Sequence, residues 1–432
     1  MKANQLIKKT GLGFILLMLF APMIQEKFQL LKFKPLEGYF EQVNNPDFSL
    51  DSFIVGSYQS NKEKYIDQNY GLRNFLIRLN NQYDLCLFKK INANRIVLGK
   101  NGILYGENYI TSYLGENYLG EKKVTELTDK LKKLQNYFDQ KNKTLIILLA
   151  PGKATFFPDD FPEQYNREKK RNNHEEFLKQ LNEKGVNTLD FNSWFMSLKK
   201  KQSFPLFTEL GIHWSVYGAS VAFDSLVKYV EWKRKVDLPD YEIDKYEFPD
   251  TLRPPDEDIY RAANLLFEMK HVKAVYPILK IKTTDGKNMP TLLTVGDSFW
   301  WNIYNNGVTP SVFKDCKFWY YFNEAFPENY DKKTTVADLD FETYVDKADV
   351  VLLCYTESTL VTIGNGFIEM AHDKFCRETL SDEEKMNRIK NMMNYIKTDK
   401  KWMEAIKNKS LKEKIPVDSL IFYDARWQVE HN

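Results

Sequence analysis

The run TLIILLAP at residues 144–151 is the feature that most restricts how this chain can fold. It is continuously apolar and is followed by turn residues, which is typical of a parallel strand buried on both faces. TLLTV at 291–295 and DVVLLCYTE at 349–357 have the same character, and VNTLDF at 186–191 and VFKDCKFWY at 312–320 are further strand candidates. A sheet built from such strands must be covered on both sides.

Amphipathic helices are predicted between these strands. Residues 122–140 place apolar side chains three and four residues apart, at Val124, Leu127, Leu131, Leu134 and Phe138. This spacing forms one apolar helix stripe. Residues 172–184, which end at Gly185, and residues 214–232 are predicted helices as well. Buried strands that alternate with helices predict a doubly wound α/β fold with a mostly parallel sheet.

The N-terminus predicts export. Lys2, Lys8 and Lys9 precede the apolar run GLGFILLMLFAPMI at residues 11–24, which fits the apolar region of a secretory signal. The run is shorter than the ~20 apolar residues of a usual membrane span. No small-x-small cleavage motif follows it, which favours an uncleaved anchor in the inner membrane over a cleaved signal peptide. Both interpretations place the rest of the chain in the periplasm or outside the cytoplasm. A cytoplasmic protein with an apolar N-terminal helix is the third interpretation.

Four segments are expected along the chain. Residues 1–25 are the signal-anchor or signal peptide, and 26–94 are a helical lead-in region without a strong strand pattern. The α/β domain spans 95–360, and it begins with RIVLGKNGILYG, a predicted β-hairpin whose Asn101-Gly102 pair suits a two-residue turn. Residues 361–432 form a C-terminal appendage with a charged, helical pattern.

Composition excludes several classes of function. The 61 basic and 59 acidic residues are intermixed, so no basic surface for nucleic acid is predicted. The four cysteines form no CxxC pair and have no zinc-like spacing, and the phosphate-binding, dinucleotide-binding and HExxH motifs are missing. No metal or cofactor is therefore expected. Aromatic residues are abundant, which fits core packing first and stacking on sugar rings second.

Ser298 is the first candidate for chemistry. The strand TLLTV ends directly before Gly296-Asp297-Ser298, and ligands of open α/β sheets collect at the carboxyl ends of strands. A serine there can present its hydroxyl at the sheet edge, while backbone N–H groups can stabilise an oxyanion. A helix cap made by Asp297 and Ser298 would explain the same tripeptide without any chemistry.

His213 is the best-placed base for a serine nucleophile. Of the five histidines, it alone stands just before a predicted helix, in GIHWSVYGA beside Trp214. A histidine at a helix N-terminus can be held by local caps while its ring faces a cleft. A structural His-Trp pair that packs the helix end would produce the same sequence.

Together these motifs resemble a known family. GDSF after a strand, an upstream segment ending in HW, VLGKNGILY and APGKATFFPDDFP are similar to motifs of the alginate O-acetyltransferase (AlgX/AlgJ-type) SGNH-hydrolase-like family. The resemblance covers about residues 95–360. It implies a three-layer α/β/α domain in which the GDS block follows the histidine block, a permuted order compared with ordinary SGNH esterases.

The resemblance implies that Ser298 is the nucleophile and His213 the general base. The family places an aspartate two residues before its histidine, and this chain has Gly211 there. Glu209 or Glu357 are candidates for the missing acid. The glycine is also consistent with a Ser-His pair that works without an acid, or with a loss of activity.

Four further residues are candidates for supporting roles. Lys153 follows a strand on the same sheet edge as Ser298, which suits substrate or oxyanion contact as well as a solvated loop lysine. Tyr304 would project from the helix after Ser298 towards the cleft or into the core. Asp297 is expected to cap or brace its turn, and Trp214 to support the histidine.

The expected function is an extracytoplasmic O-acyltransferase that acetylates a cell-surface or secreted polysaccharide. The resemblance implies a membrane-bound O-acyltransferase as the partner that delivers the acetyl group. A carbohydrate O-acetyl esterase would use the same site with water as acceptor. A catalytically degenerate polysaccharide-binding or scaffold protein is the third hypothesis, which Gly211 keeps open.

Overall fold

A six-stranded sheet organises the larger of the two units into which the chain divides, residues 1–372 and residues 373–432. The computed structural model describes residues 2–38, 42–376 and 382–431. The strands of the described residues are, in chain order, β1 (Ile96–Leu98), β2 (Leu104–Gly106), β3 (Thr144–Ala150), β4 (Thr188–Asp190), β5 (Asp240–Glu247), β6 (Tyr276–Thr283), β7 (Thr291–Gly296), β8 (Lys314–Tyr320), β9 (Glu324–Phe326) and β10 (Val350–Thr356).

The main sheet has the strand order β4-β3-β10-β7-β8-β9. Its pairs are parallel except for β9, which runs antiparallel to β8. Leu352 of β10 pairs with Ile146 of β3 on one side and with Thr294 of β7 on the other. All seven positions of β3 and of β10 are buried, because helices cover both faces. The mostly parallel α/β sheet is thus as predicted.

The helices of the larger unit fall into a lead-in group and a group that surrounds the sheet. The lead-in helices are α1 (Lys2–Phe28), α2 (Leu50–Ile54), α3 (Ser57–Asn69) and α4 (Arg73–Phe88). The others are α5 (Glu107–Tyr113), α6 (Glu121–Gln140), α7 (Lys153–Phe156), α8 (Asn173–Glu183), α9 (Phe191–Leu198), α10 (Val216–Arg234), α11 (Asp258–Ala262), α12 (Trp300–Tyr304), α13 (Thr309–Val312), α14 (Glu328–Asp331), α15 (Phe341–Lys347) and α16 (Phe367–Phe375).

Helix α6 shows how the apolar pattern becomes packing. The five apolar residues of its predicted stripe are all buried. Helix α8 begins with a capping box, in which the Asn172 side chain accepts from Glu175 N–H and the Glu175 side chain accepts from Asn172 N–H. It is followed by Gly185 at a φ of 61°, a left-handed conformation that favours glycine after a helix.

Helix α1 is longer than the apolar run predicted for it. The segment Ile7–Phe28 has 22 residues and a mean hydropathy of 1.6. By length and composition it can cross a membrane, although a signal sequence passes the same criterion. Both the anchor and the signal peptide are therefore compatible with this helix.

Two hairpins lie outside the main sheet. Strands β1 and β2 form the predicted hairpin, but residues 99–103 connect them, a longer loop than the expected two-residue turn. Asn101 and Gly102 do take positive φ values of 55° and 79°. Strands β5 and β6 pair antiparallel and are not predicted from the sequence, in which β5 is mostly polar.

The C-terminal unit is a group of three helices among its described residues, α17 (Asp382–Thr398), α18 (Lys400–Glu413) and α19 (Val417–His431). It has an apolar core of its own, made by Ile389, Ile396, Ile406, Leu420, Ile421 and Ala425. The charged segment thus forms amphipathic helices that bury their apolar side chains within the unit.

Candidate active site

Ser298 lies at the carboxyl edge of the sheet, in the turn between β7 and α12. Strand β7 is flanked by β10 and β8, so the turn that follows it lies away from the outermost strands of the sheet. Gly296 allows the close approach of β10 there, since a Cβ at this position would lie 2.6 Å from the Cys354 carbonyl oxygen. The Ser298 side chain is half-buried and so remains open to a substrate.

Asp297 braces the turn that carries Ser298. Its carboxylate accepts hydrogen bonds from Thr356 N–H at 2.7 Å, Thr359 Oγ1 at 2.6 Å and Phe299 N–H at 3.0 Å. Burial raises the pKa of Asp297, and these hydrogen bonds act in the opposite direction. The side chain is fully occupied with the ends of β7 and β10, so it is a brace for the serine turn.

His213 is in direct contact with Ser298. The ring Nε2 lies 2.8 Å from Ser298 Oγ, although 85 residues separate the two in sequence. The His213 side chain is 14% exposed, and its ring packs against Phe299 with the centroids 4.8 Å apart. A hydroxyl and an imidazole at this distance can exchange a proton.

A carboxylate that the sequence did not single out holds the other side of the ring. Asp258 Oδ2 lies 2.5 Å from His213 Nδ1. Asp258 Oδ1 accepts from the N–H groups of Ile212 at 2.8 Å and Ile259 at 2.7 Å. One carboxylate oxygen therefore orients the imidazole, while the other fixes the backbone next to the histidine.

Gly211 explains how Asp258 reaches this position. A Cβ on residue 211 would lie 2.8 Å from Pro255 O and 2.9 Å from Asp256 C and O. The backbone just before Asp258 thus occupies the space that a side chain at 211 would need. The segment that packs on Gly211 brings in a carboxylate from 45 residues beyond the histidine.

The two glutamates proposed as the acid lie elsewhere. Glu209 Oε2 accepts from Val272 N–H at 3.1 Å. Glu357 is buried and accepts from Thr155 Oγ1 at 2.5 Å and from Asn172 Nδ2 at 3.1 Å. Neither carboxylate is a hydrogen-bond partner of His213, whose Nδ1 is already bound to Asp258, so the two assignments are corrected to Asp258.

Lys153 is neither a solvated lysine nor an exposed contact for substrate. It begins α7, is fully buried, and donates to the carbonyl oxygens of Glu209, at 2.8 Å, and of Gly211. Burial lowers the Lys153 pKa to about 7, and the charges of Asp258 and Glu209 oppose this shift. The lysine thus ties the end of β3 to the segment that leads to His213.

The remaining candidates belong to the packing around the site. Trp214 is completely buried and lies edge-on to Phe299 at 5.4 Å, so it supports the histidine segment from below. Tyr304 is half-buried and packs onto the core through Trp301 and Phe318, each with ring centroids 5.7 Å away.

Tyr321 is a further residue near the serine that the sequence did not indicate. Burial raises the Tyr321 pKa, and the neighbouring Ser298 acts in the opposite direction. Tyr321 adopts a φ of 50°, which is unusual for a bulky residue. Such conformations concentrate at functional sites.

The arrangement is a hydroxyl, an imidazole and a carboxylate linked in series. A carboxylate on Nδ1 fixes the tautomer that leaves Nε2 free to accept a proton from a serine. The chemistry that this geometry permits is nucleophilic attack by Ser298 on an activated carbonyl.

Residues 96–260 match the sequence model of a family described as "SGNH hydrolase-like domain, acetyltransferase AlgX". The matched range includes Lys153, His213 and Asp258, and Ser298 follows it. No curated protein sequence matches the chain.

Solved structures with a similar arrangement were also found. The O-acetyltransferase domain of Pseudomonas putida AlgJ is 14% identical, with a TM-score of 0.41, over 65% of this chain and 99% of that chain. Pseudomonas aeruginosa AlgX is 12% identical, with a TM-score of 0.41, over 66% and 71%. Bacillus cereus PatB1 with a sulfonyl adduct is 12% identical, with a TM-score of 0.36, over 56% and 91%.

These structural similarities are low, and the assignment rests on the sequence model. The expected resemblance and the SGNH-like α/β fold are confirmed. Residues 96–260 are thus similar to the SGNH hydrolase-like domain of the acetyltransferase AlgX family.

Proposed function

We propose that the protein is an extracytoplasmic O-acyltransferase that acetylates a polysaccharide through an acyl-enzyme on Ser298. The observation that carries the proposal is the series Ser298 Oγ, His213 and Asp258, linked by contacts of 2.8 Å and 2.5 Å. The acetyltransferase family of residues 96–260 supports the acetyl group as the acyl unit.

The reaction has two matched halves. In the first, Ser298 Oγ attacks the acyl carbonyl while His213 Nε2 takes the serine proton. The bond to the leaving group breaks, and His213 returns the proton to that group. In the second half, a sugar hydroxyl gives its proton to His213 and attacks the Ser298 ester. The sugar ester leaves, and Ser298 regains its proton from His213.

In both halves of the reaction, Asp258 supports the proton transfer through His213, and Tyr321 supports the tetrahedral intermediate. Asp258 keeps Nδ1 protonated and stabilises the imidazolium that forms when His213 accepts a proton. We assign Tyr321, a neighbour of Ser298, as a donor to the oxygen that becomes negative in the tetrahedral intermediate.

The N-terminal helix and the family resemblance support a proposal for the location and the partners. We assign Ile7–Phe28 as an anchor in the inner membrane, with the α/β domain in the periplasm. The acetyl group would come from a membrane-bound O-acyltransferase, and the acceptor would be a cell-surface or secreted polysaccharide.

Two competing functions use the same fold. An esterase would release the acetyl group to water, since the second half accepts any hydroxyl that reaches the acyl-enzyme. A degenerate scaffold protein is suggested by Gly211 in the sequence, but the contact of Asp258 with His213 removes that reason for expecting inactivity.

The test supplies the full-length protein with para-nitrophenyl acetate and a hexasaccharide acceptor. We expect acetylated sugar to form in the wild type and no product in Ser298→Ala. Release of free acetate alone, at a rate that the sugar does not change, would assign the esterase instead. Equal turnover in both proteins would exclude the serine mechanism.

A further inference from the structure

An aromatic groove lies beside the candidate site and is not used in the acyl-transfer steps. We define it by Trp194, Tyr217, Tyr241 and Tyr246, which line a cavity of about 610 Å³. The groove is bounded by helix α10 and the β5–β6 hairpin. We propose that this groove binds the sugar rings of a neutral polysaccharide acceptor, an inference that rests on the proposed function.

The groove adjoins the elements that carry the candidate site. A second cavity of about 450 Å³ shares Ser220 and Leu279 with it. Trp301 and Asn302 of α12 line this second cavity. Trp301 N–H donates to Ser298 O at 3.2 Å, and Asn302 Nδ2 donates to Trp214 O at 3.1 Å. The second cavity thus reaches the helix that follows the nucleophile, and it borders the aromatic groove at Ser220 and Leu279.

The aromatic side chains of the groove are partly exposed to solvent. Tyr246 is 40% exposed, and Phe248 next to the groove is 55% exposed. Phe204 supports them, with ring centroids 5.2 Å from Tyr217 and 5.4 Å from Tyr246. Partly exposed aromatic rings that are supported by another ring suit the flat, apolar C–H face of a pyranose.

Polar groups between the rings suit the hydroxyls of a sugar. Gln202 accepts from the Tyr217 hydroxyl at 2.6 Å through Oε1, which leaves its amide donors for another partner. A lining that is mainly aromatic with a few polar groups is typical of sites that bind small organic rings.

The charges of the groove favour a neutral ligand. Asp224 is paired with Lys228 at 2.6 Å, and Glu242 with Lys282 at 3.9 Å. Because each acidic group has a basic partner, the groove offers no excess of positive charge for an acidic sugar.

The test measures binding without turnover. Cellohexaose, N-acetylated chitohexaose and hexagalacturonate are titrated into the full-length Ser298→Ala protein by calorimetry. We expect binding of at least one neutral hexasaccharide and weaker binding of hexagalacturonate. Tyr246→Ala should raise the Kd of the neutral sugar by about fivefold to tenfold, since one stacking ring is lost.

Two further variants make the result specific. Ser225→Trp, which fills the cavity, should weaken binding as Tyr246→Ala does, and Trp232→Ala should leave it unchanged. Trp232 is equally aromatic and 61% exposed, but it does not line the cavity. The proposal is overturned if neither neutral sugar binds, if hexagalacturonate binds most tightly, or if Tyr246→Ala and Ser225→Trp bind like Trp232→Ala.

Failure of the groove and failure of the proposed function are distinguishable. Acyl-enzyme formation in the wild type without hexasaccharide binding would reject the groove alone. Hexasaccharide binding without any acyl-enzyme would reject the acyltransferase and retain the groove as a glycan-binding site.

Discussion

Asp258 holds the imidazole of His213, with its Oδ2 2.5 Å from Nδ1. The second oxygen of the same carboxylate accepts from Ile212 N–H at 2.8 Å. Asp258 thus orients the imidazole ring and also fixes the backbone next to His213. It stands 45 residues after the histidine, whereas the family motif places it two residues before.

Asp258→Asn tests this role. The amide keeps the size of the side chain, but it favours the wrong histidine tautomer, so we expect kcat to fall on the order of 10²–10⁴-fold. Ester hydrolysis with para-nitrophenyl acetate measures the effect. Glu209→Gln is the matched control, because Glu209 binds Val272 N–H and should leave kcat near the wild-type value. A large loss in Glu209→Gln with full activity in Asp258→Asn would reverse the assignment.

Gly211→Asp tests whether the acid can act from position 211, where the family motif places it. This substitution restores the family motif in sequence, yet we expect it to lower both activity and the free energy of unfolding. Its Cβ would lie 2.8 Å from Pro255 O, so the segment before Asp258 must shift. Kinetics and urea unfolding measure the two effects. A gain in kcat would show that the glycine is not required for the packing of this segment.

Lys153→Met tests the buried lysine through the pH dependence of the free energy of unfolding. The folded-state pKa is lowered to about 7, while the side chain in the unfolded chain has the ordinary value of 10.5. Between these values the unfolded chain binds the extra proton, so this group makes the free energy of unfolding rise with pH. Below about pH 7 the full cost of burying the charge is present. Lys153→Met should therefore show a smaller rise between about pH 7 and 10, measured by urea unfolding. Identical pH slopes would contradict the lowered pKa of Lys153.

Tyr321→Phe tests the proposed oxyanion donor. Loss of one such donor lowers kcat on the order of 10²-fold, with little effect on substrate binding. Tyr304→Phe is the control, since Tyr304 packs in the core. A change in KM alone for Tyr321→Phe would indicate a role in binding instead.

The long buried strands of the main sheet and the position of Ser298 could be predicted because their signals are local. A continuous apolar run marks a buried strand, as Ile147 and Leu353 show, and a Gly-Asp-Ser turn directly after such a strand places its serine at the sheet edge. The contact of Ser298 with His213 is long-range, but the order of the family motifs suggested it. Its catalytic role remains a prediction.

Asp258 could not be predicted as the acid, because its contact with His213 is long-range. Asp258 lies in the polar segment PPDEDIY, where nothing in the spacing links it to His213. Its position depends on tertiary packing against Gly211, which has no signature in sequence. The role of Lys153 was missed similarly, because a lysine after a strand is usually solvated and only the fold reveals its burial.

The most direct measurement concerns the acyl-enzyme itself. The full-length wild type is incubated with para-nitrophenyl acetate, quenched in acid, digested and analysed by peptide mass spectrometry. We predict a gain of one acetyl group on the peptide that contains Ser298, and no such gain in Ser298→Ala. An acetyl group found only on lysines or on other serines, with Ser298 unmodified and ester turnover intact, would contradict the central claim.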